Sequence, residues 1–568
     1  MQNSGTKNLF LFLIIIFYLG LSAFNYATIE EDSFIYFRCA QNIADGHGYV
    51  FNPGQEPIEA CSSIPWLYLL AFCCKLGFNI ITASKILGIF FGIFSLLLTV
   101  SITRQFCSSL PWSVLPAFLT ATNLSFLMWN QMGLETALYT FLVLWLVRLC
   151  IDRKLIFYWP VPAILLLTAR PEGFILLGGL ILPLYFYRDQ RNKIIFGAII
   201  TLFFAFVLLG LRFWYFQDFV PSPFYLKIGS DRPFSLIGFH FYFKSYYLYF
   251  IFLPMIFFIF KKKLWQAENM ILLCFVFILL TWFGCSGAEE RPYFRHMVPV
   301  IPLIFIYPAV AFGHNFSMQK KSRKLILTIF VLLFSLISLI GSTNYNFYYP
   351  MANPVFKNLR AFGRNPGSYF KNISNSFKQP RSMGDQRMLI GEFIKKNYQK
   401  KSKIVYDQMG QTPFAAGSAY RFIDSWGLTD KTIGACSFQQ YKASPGLLSL
   451  YKTISSVLVE KYYPGARRFL TTEAVLDYIF EQSPDLILLH SFVLKFENRI
   501  PFLIATDQRF QSGYTLKYLI GKTLLFERKK LRAKPYNVPE GLTVLSCPDI
   551  KTALKGETRV LQIIENMQ

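Results

Sequence analysis

Charge is scarce in this chain. Only 16% of its 568 residues are Asp, Glu, Lys or Arg, against about 25% in a soluble globular domain. Acids are the rarer sign, with 32 Asp+Glu against 57 Lys+Arg, and there are only 5 His. So little charge cannot coat a fold bathed wholly in water. The few His and the 10 scattered Cys leave no ligand set with zinc spacing. No Gly-x-x-x-x-Gly-Lys-Ser/Thr run is present, so no nucleotide-binding phosphate loop is expected. No internal repeat is visible, unlike many transporters.

What fills the chain is apolar: 54% hydrophobic residues, with 61 Phe and 32 Tyr. Lipid is the solvent such a composition suits. Spanning runs are expected at Leu9–Tyr26, Lys85–Arg104, Pro111–Trp129, Leu134–Ile151, Leu155–Ala169 and Gly173–Tyr187. Further runs lie at Ile194–Trp214, Tyr246–Phe260, Asn269–Gly284, Met297–Gly313 and Leu325–Ile340. The net charge of +25 could point to nucleic acid. The basic residues cluster between apolar runs instead, at Arg148/Arg153/Lys154, Arg188/Arg191/Lys193, Lys261–Lys263 and Lys320/Lys321/Arg323/Lys324. The positive-inside rule puts those clusters in the cytoplasm, and no nucleic-acid partner is expected. Two runs separate each successive pair of clusters. The expectation is eleven crossings, an inside N-terminus, an outside C-terminus, and Ile64–Phe78 as a juxtamembrane or half-inserted helix.

Residues 1–341 then form a transmembrane domain with long outward loops at 28–63 and 216–245, and residues 342–568 a soluble outward domain. Short apolar runs in that tail at Lys403–Tyr406, Asp485–Leu489, Thr523–Phe526 and Leu542–Leu545 predict strands. Thr471–Gln482 predicts a helix. The tail reads as α/β.

The first outward loop begins Glu30-Glu31-Asp32-Ser33-Phe34-Ile35-Tyr36-Phe37-Arg38. Phe34, Phe37, Ala40 and Ile43 recur at helical spacing, predicting an amphipathic helix in the membrane interface. A turn-rich stretch from Gly46 to Gly54 follows, then Glu59. Cys39 and Cys61 share this loop and would either pair or stay free. A carboxylate at the membrane surface could take a proton from an acceptor hydroxyl. It could also hold a divalent cation against a phosphate. A solvated acidic loop fits the pattern as well.

This loop resembles the first periplasmic loop of the GT-C superfamily of polyprenyl-phosphate-sugar-dependent glycosyltransferases. It is nearest the branch of the mycobacterial terminal arabinofuranosyltransferase. That branch carries Asp-Asp-x-Tyr-Ile-x-x-Arg-x-x-x-Asn, then Gly-x-Gly-x-x-Phe-Asn-Pro-Gly. The chain matches at Asp32, Ile35, Arg38, Asn42, Gly46, Gly48 and Phe51–Gly54. It departs at Glu31, where the family has its first Asp, and at Phe34, where it has Tyr.

Further motifs follow in family order. Gly133-Leu134-Glu135-Thr136 opens a span, and Arg170-Pro171-Glu172-Gly173 sits at an outward hairpin. By their own chemistry these are a helix start and a capped turn. Pro221, Tyr225 and Lys227 match a motif of the second long loop, where Asn-Thr has become Ser-Pro. Lys227 could equally snorkel to lipid headgroups. Glu289 takes the Asp position of Gly-Gly-Asp, and Arg295 matches the Arg six residues on. The segments 406–410 and 424–430 resemble a strand–turn pair of the same branch. The resemblance fades after about Pro484.

The resemblance implies an inverting transferase that moves one sugar from a polyprenyl-phosphate carrier to an envelope glycan or lipid acceptor. Its site would face the periplasm, on the inner membrane. Glu31 or Asp32 would be the base. Arg295 first, then Lys227, would face the carrier phosphate, since the Arg fork can bind two oxygens. Arg38, Asn42, Glu59, Glu135, Arg170, Glu172, Tyr225 and Glu289 would complete substrate binding. No cofactor is certain, and a divalent cation fits the chemistry. The competing readings are a transporter or flippase of lipid-linked glycans, and a non-catalytic envelope assembly factor.

Overall fold

The computed structural model describes residues 4–24, 29–107, 110–218, 221–223, 266–285, 295–316, 385–434, 472–491, 494, 500–529, 538–539, 542, 544–546, 549–550 and 558–565. The chain divides into two compact units, each discontinuous in sequence. One holds Met1–Ile29, Ile81–Val207 and Arg232–Ser382. The other holds Glu30–Ile80, Leu208–Asp231 and Met383–Gln568.

The first unit is helical. Ile80–Phe106 and Arg188–Phe216 are long and apolar enough to cross a membrane, as ~20 residues suffice. Other apolar helical stretches among the described residues run 10–17 residues, including Thr136–Ile151, Ile156–Ala169 and Ala267–Trp282. The expected runs Tyr246–Phe260 and Leu325–Ile340 lie outside the described residues.

Two expected spans are broken, each for a local reason. Pro111–Trp129 becomes two helices, Leu110–Ala121 and Leu124–Trp129, because Asn123 caps the second. Its side-chain oxygen accepts from the Phe126 amide at 3.3 Å, a bond that favours a fresh helix start. Gly173–Tyr187 becomes helical turns Gly173–Leu176 and Ile181–Phe186 around a 3-10 turn, Leu177–Leu180. Gly178 and Gly179 weaken helix there, and a Cβ at Gly179 would stand 2.6 Å from the Phe275 ring. Some polar groups inside the unit are bonded to one another. Asn130 Nδ2 donates to Tyr18 Oη at 2.9 Å, and buried Lys85 donates to the Gln131 carbonyl at 3.0 Å.

The second unit joins residues 30–80 to an α/β sheet. Ser33–Ala44 is helical, as its spacing predicts. Its apolar face meets protein rather than the membrane interface: the Phe34 and Phe37 rings lie 5.2 and 6.0 Å from Phe414. The helix stops where Gly46 takes φ +84°, a conformation Gly adopts without a Cβ penalty. Ile64–Lys75 is a helix of 12 residues packed against Ser33–Ala44, shorter than a crossing needs. Cys39 and Cys61 are buried, and no disulfide joins them.

The sheet has six strands: β1 Lys403–Tyr406, β2 Arg421–Asp424, β3 Leu486–His490, β4 Tyr514–Ile520, β5 Thr523–Arg528 and β6 Val544–Ser546. Their spatial order is β2-β1-β3-β5-β4-β6. β2, β1 and β3 are parallel, and the rest pair antiparallel. β3 reads Leu-Ile-Leu-Leu-His with four successive buried residues, the pattern of a strand covered on both faces. Val405, Ile423, Ile487 and Phe526 join Val475, Ile479 and Phe510 from helices in one core. The carboxyl ends of β1 and β2 lie side by side, with Tyr406 in register with Asp424.

Candidate active site

Glu31 and Asp32 form the turn that leads into Ser33–Ala44. The Phe34 amide donates to the Glu31 carbonyl at 3.1 Å and the Ile35 amide to the Asp32 carbonyl at 3.2 Å. The Glu31 side chain is held by the segment after β1. Its Oε1 accepts from the Gln411 amide at 3.0 Å, and Arg387 Nη1 lies 3.3 Å from Oε2. Gly410 makes this approach feasible, because a Cβ there would collide with the Glu31 carbonyl and carboxylate. Burial pushes the Glu31 pKa up, Arg387 and the Gln411 amide oppose it, and the charge of Asp32 adds to the rise. Asp32 is half-buried.

Arg38 is buried, and every nitrogen of its guanidinium bonds to protein. It donates to the carbonyls of Phe51 at 2.9 Å, Gly417 at 3.0 Å, Tyr420 at 2.9 Å and Pro413, and to Asn52 Oδ1 at 3.3 Å. Its charge also sits over the Phe51 and Phe422 rings. Asn42 Nδ2 donates to the carbonyls of Val50 and Phe51 at 2.9 and 3.0 Å. These two side chains are thus occupied with backbone of the first loop and, for Arg38, of the sheet domain. Glu59 pairs with Arg212 at 3.0 Å. Burial outweighs that partner and lifts the Glu59 carboxyl to about 7. Gly48, at φ +79°, leaves room for the Tyr215 hydroxyl, which accepts from the Tyr49 amide at 3.2 Å.

A second cluster forms in the helical unit. Glu135 precedes the helix Thr136–Ile151, and Arg170 follows the helix Pro160–Ala169. Arg295 opens a short turn before Val300–Phe316. All three meet. Glu135 Oε1 accepts from Arg170 Nη1 at 2.9 Å and from Arg295 Nη2. Arg170 Nε bonds to Glu172 Oε1, and Arg295 Nε donates to Thr136 Oγ1 at 3.2 Å. The Arg295 guanidinium lies 5.6 Å from the centre of the Trp129 ring. Glu135 is fully buried and Arg295 is 7% exposed. Arg295 Nη1 has no hydrogen-bond partner among the described residues. His296 Nδ1 stands 3.4 Å from Arg170 Nη2 and 3.7 Å from Glu172 Oε1.

Sequence motifs separated by up to 160 residues therefore meet in one network of Glu135, Arg170, Glu172 and Arg295. Tyr225, Lys227 and Glu289 lie outside the described residues. His296 and Arg387 were not singled out by motif, and Asp407 lies in the 406–410 segment without a role assigned to it. Asp407 follows β1, is 5% exposed, and neither carboxylate oxygen accepts a full hydrogen bond. Burial lifts it to about 7, against the pull of Arg387 and the His490 amide. Among the described residues no three His, Cys, Asp or Glu gather so as to hold a metal ion.

Residues 379–538 match a domain of unknown function, DUF8728. No curated protein matches the chain in sequence. Among solved structures, the chain is similar to ArnT from Cupriavidus metallidurans bound to undecaprenyl phosphate. That match has 11% identity and a TM-score of 0.52, and covers 94% of this chain and 100% of ArnT. The apo state of the same ArnT aligns at 12% identity and a TM-score of 0.53, over 92% and 98% of the two chains. The oligosaccharyltransferase of Archaeoglobus fulgidus, tethered to an acceptor peptide with an NVT sequon, aligns at 11% identity and a TM-score of 0.50. It is matched over 95% of this chain and 76% of its own. At such identities the likeness is one of fold alone.

Proposed function

We propose that this protein is an inverting glycosyltransferase that moves a single sugar from a polyprenyl-phosphate carrier to an envelope glycan or lipid acceptor. The reaction takes place at the periplasmic face of the inner membrane. The observation that carries this reading is Arg295. It is a buried guanidinium, oriented by Glu135 and Thr136, with Nη1 uncommitted among the described residues. A planar donor of fixed direction and permanent charge suits a phosphate oxygen. Glu135 and Arg170 keep it in place, and Trp129 backs its face. The match of the first loop at Asp32, Arg38 and Asn42 supports a place near the arabinofuranosyltransferase branch.

The Glu31 carboxylate is already engaged by Gln411 and Arg387. We assign the base to Asp32, which is identical to the family's acid where Glu31 departs from it, and a supporting place to Glu31. Asp32 takes the acceptor hydroxyl proton as the oxygen attacks the anomeric carbon. The carbon–oxygen bond to phosphate breaks on the opposite face, inverting the centre. Polyprenyl phosphate leaves with a new negative charge, which Arg295 stabilises. Lys227 is the second cation proposed for that charge, and Tyr225 and Glu289 are proposed to line the substrate. If a divalent cation is used, Asp32 would help hold it and it would supply positive charge toward the phosphate.

Native mass spectrometry of the detergent-solubilised protein with undecaprenyl phosphate tests the donor class. A bound adduct is expected for wild type and a loss of ten-fold or more in affinity for Arg295→Ala. Equal binding by wild type and the variant would overturn the phosphate assignment.

A further inference from the structure

We infer that Arg387, acting through Glu31, is a positioning residue for the base, which makes the segment 385–420 part of the catalytic apparatus. The inference rests on the transferase reading and concerns Arg387, which no motif singled out. Asp32 lies between two tethers. Glu31, just before it, is held by the Gln411 amide and Arg387. Arg38, two turns of helix further along, donates to the carbonyls of Pro413, Gly417 and Tyr420. Glu31 lies in the turn before the helix and Arg38 within it, and both bind the same stretch of chain, 411–420. The backbone that carries Asp32 is thus held on both sides.

The anchors are themselves locked together. Arg387 belongs to the helix Asp385–Asn397, and its carbonyl accepts from Thr412 Oγ1 at 2.8 Å. Gly391 lets that helix lie close against Thr412–Ala416, because a Cβ there would stand 2.6 Å from the Ala415 methyl. Gly410 lets Glu31 reach the Gln411 amide. The Arg387 charge is shared between two carboxylates, Glu31 and Asp407. Asp407 accepts no full hydrogen bond of its own, so its role toward Arg387 is electrostatic. A geometric constraint this elaborate on one carboxylate is what a base needs, because misplacing it by about 1 Å can cost 10²-fold in rate.

The test compares envelope glycans by mass spectrometry in a strain lacking the protein, restored with Arg387→Ala, Arg387→Lys, Asp32→Asn or wild type at matched levels. Hydrogen exchange of residues 29–44 is measured on the purified proteins. Arg387→Ala is expected to lower the added sugar at least ten-fold and speed exchange in 29–44, at an unchanged melting temperature. Arg387→Lys is expected to restore most of the transfer, since it keeps a cation near Oε2. If Arg387→Ala does not accumulate, Arg387→Gln is read instead, with the same loss expected. Wild-type transfer by Arg387→Ala or Arg387→Gln beside an inactive Asp32→Asn would overturn the positioning role and leave the transferase reading intact. Wild-type transfer by Asp32→Asn would remove the base assignment on which the inference depends.

Discussion

Glu135 and Arg295 stand 160 residues apart in the chain and share a buried hydrogen bond to Oε1, the oxygen that also accepts from Arg170 at 2.9 Å. One carboxylate thus serves two guanidinium groups at a fully buried position. Removing one member of a buried ionic set leaves the others uncompensated, at about 3–5 kcal/mol. Glu135→Ala should destabilise the helical unit by that order. Glu135→Gln, which keeps an acceptor oxygen, should cost less. Thermal unfolding in detergent checks both, and equal melting of the alanine variant and wild type would contradict the network.

Arg38 makes a different case. Its five bonds run mainly to carbonyl oxygens of two distant segments. A Lys ammonium cannot reproduce that fork. Arg38→Lys should therefore behave like a truncation, with about 1–3 kcal/mol for each buried acceptor left unbonded. Limited proteolysis is the readout: cleavage within 44–63 should become faster in Arg38→Lys. Unchanged cleavage would show that the clamp is dispensable.

The buried acids of the second unit predict a pH dependence. Burial lifts Asp407 from 3.8 to about 7 and Asp424 from 3.8 to about 6. The folded state then binds protons more tightly than the unfolded state. The associated stability is full below about 3.8 and is lost as pH rises toward 7, at about 1.4 kcal/mol per pKa unit. The charged and titratable neighbours here are Arg387 and Asp424 for Asp407, Asp430 for Asp424, and Glu31 and Tyr406 across Arg387. The melting temperature of the unit should fall between pH 5 and pH 8. Asp407→Asn should flatten that fall, and an equally steep fall in the variant would contradict the burial argument.

Much of this architecture was legible in the residues. β1, β3 and β5 announce themselves as short apolar runs, and the helix at Thr472–Glu481 begins close to where its Thr-Thr-Glu start places it. For β2, Arg-Phe-Ile-Asp offers no alternation to read, and only the resemblance at 424–430 pointed to a strand end there. β4 was hidden by the register shift between Leu516 and Tyr518, which breaks the period of two. The helix Ser33–Ala44 was foreseen, but not its cover, since sequence spacing shows an apolar face and cannot say that Phe414 fills it. Glu135, Arg170, Glu172 and Arg295 could be named one by one, while their meeting is a property of the fold. Arg387 gave no signal, because an Arg in Asp-Gln-Arg-Met-Leu-Ile-Gly-Glu looks like the solvated face of any helix.

The measurement that tests the central claim most directly is the mass of the envelope glycans. A strain lacking this protein is compared with the same strain restored by wild type or by Asp32→Asn, expressed to the same level. The account predicts loss of one fixed sugar mass in the deletion, recovery with wild type and no recovery with Asp32→Asn. Identical glycans in all strains, or full recovery with Asp32→Asn, would contradict it.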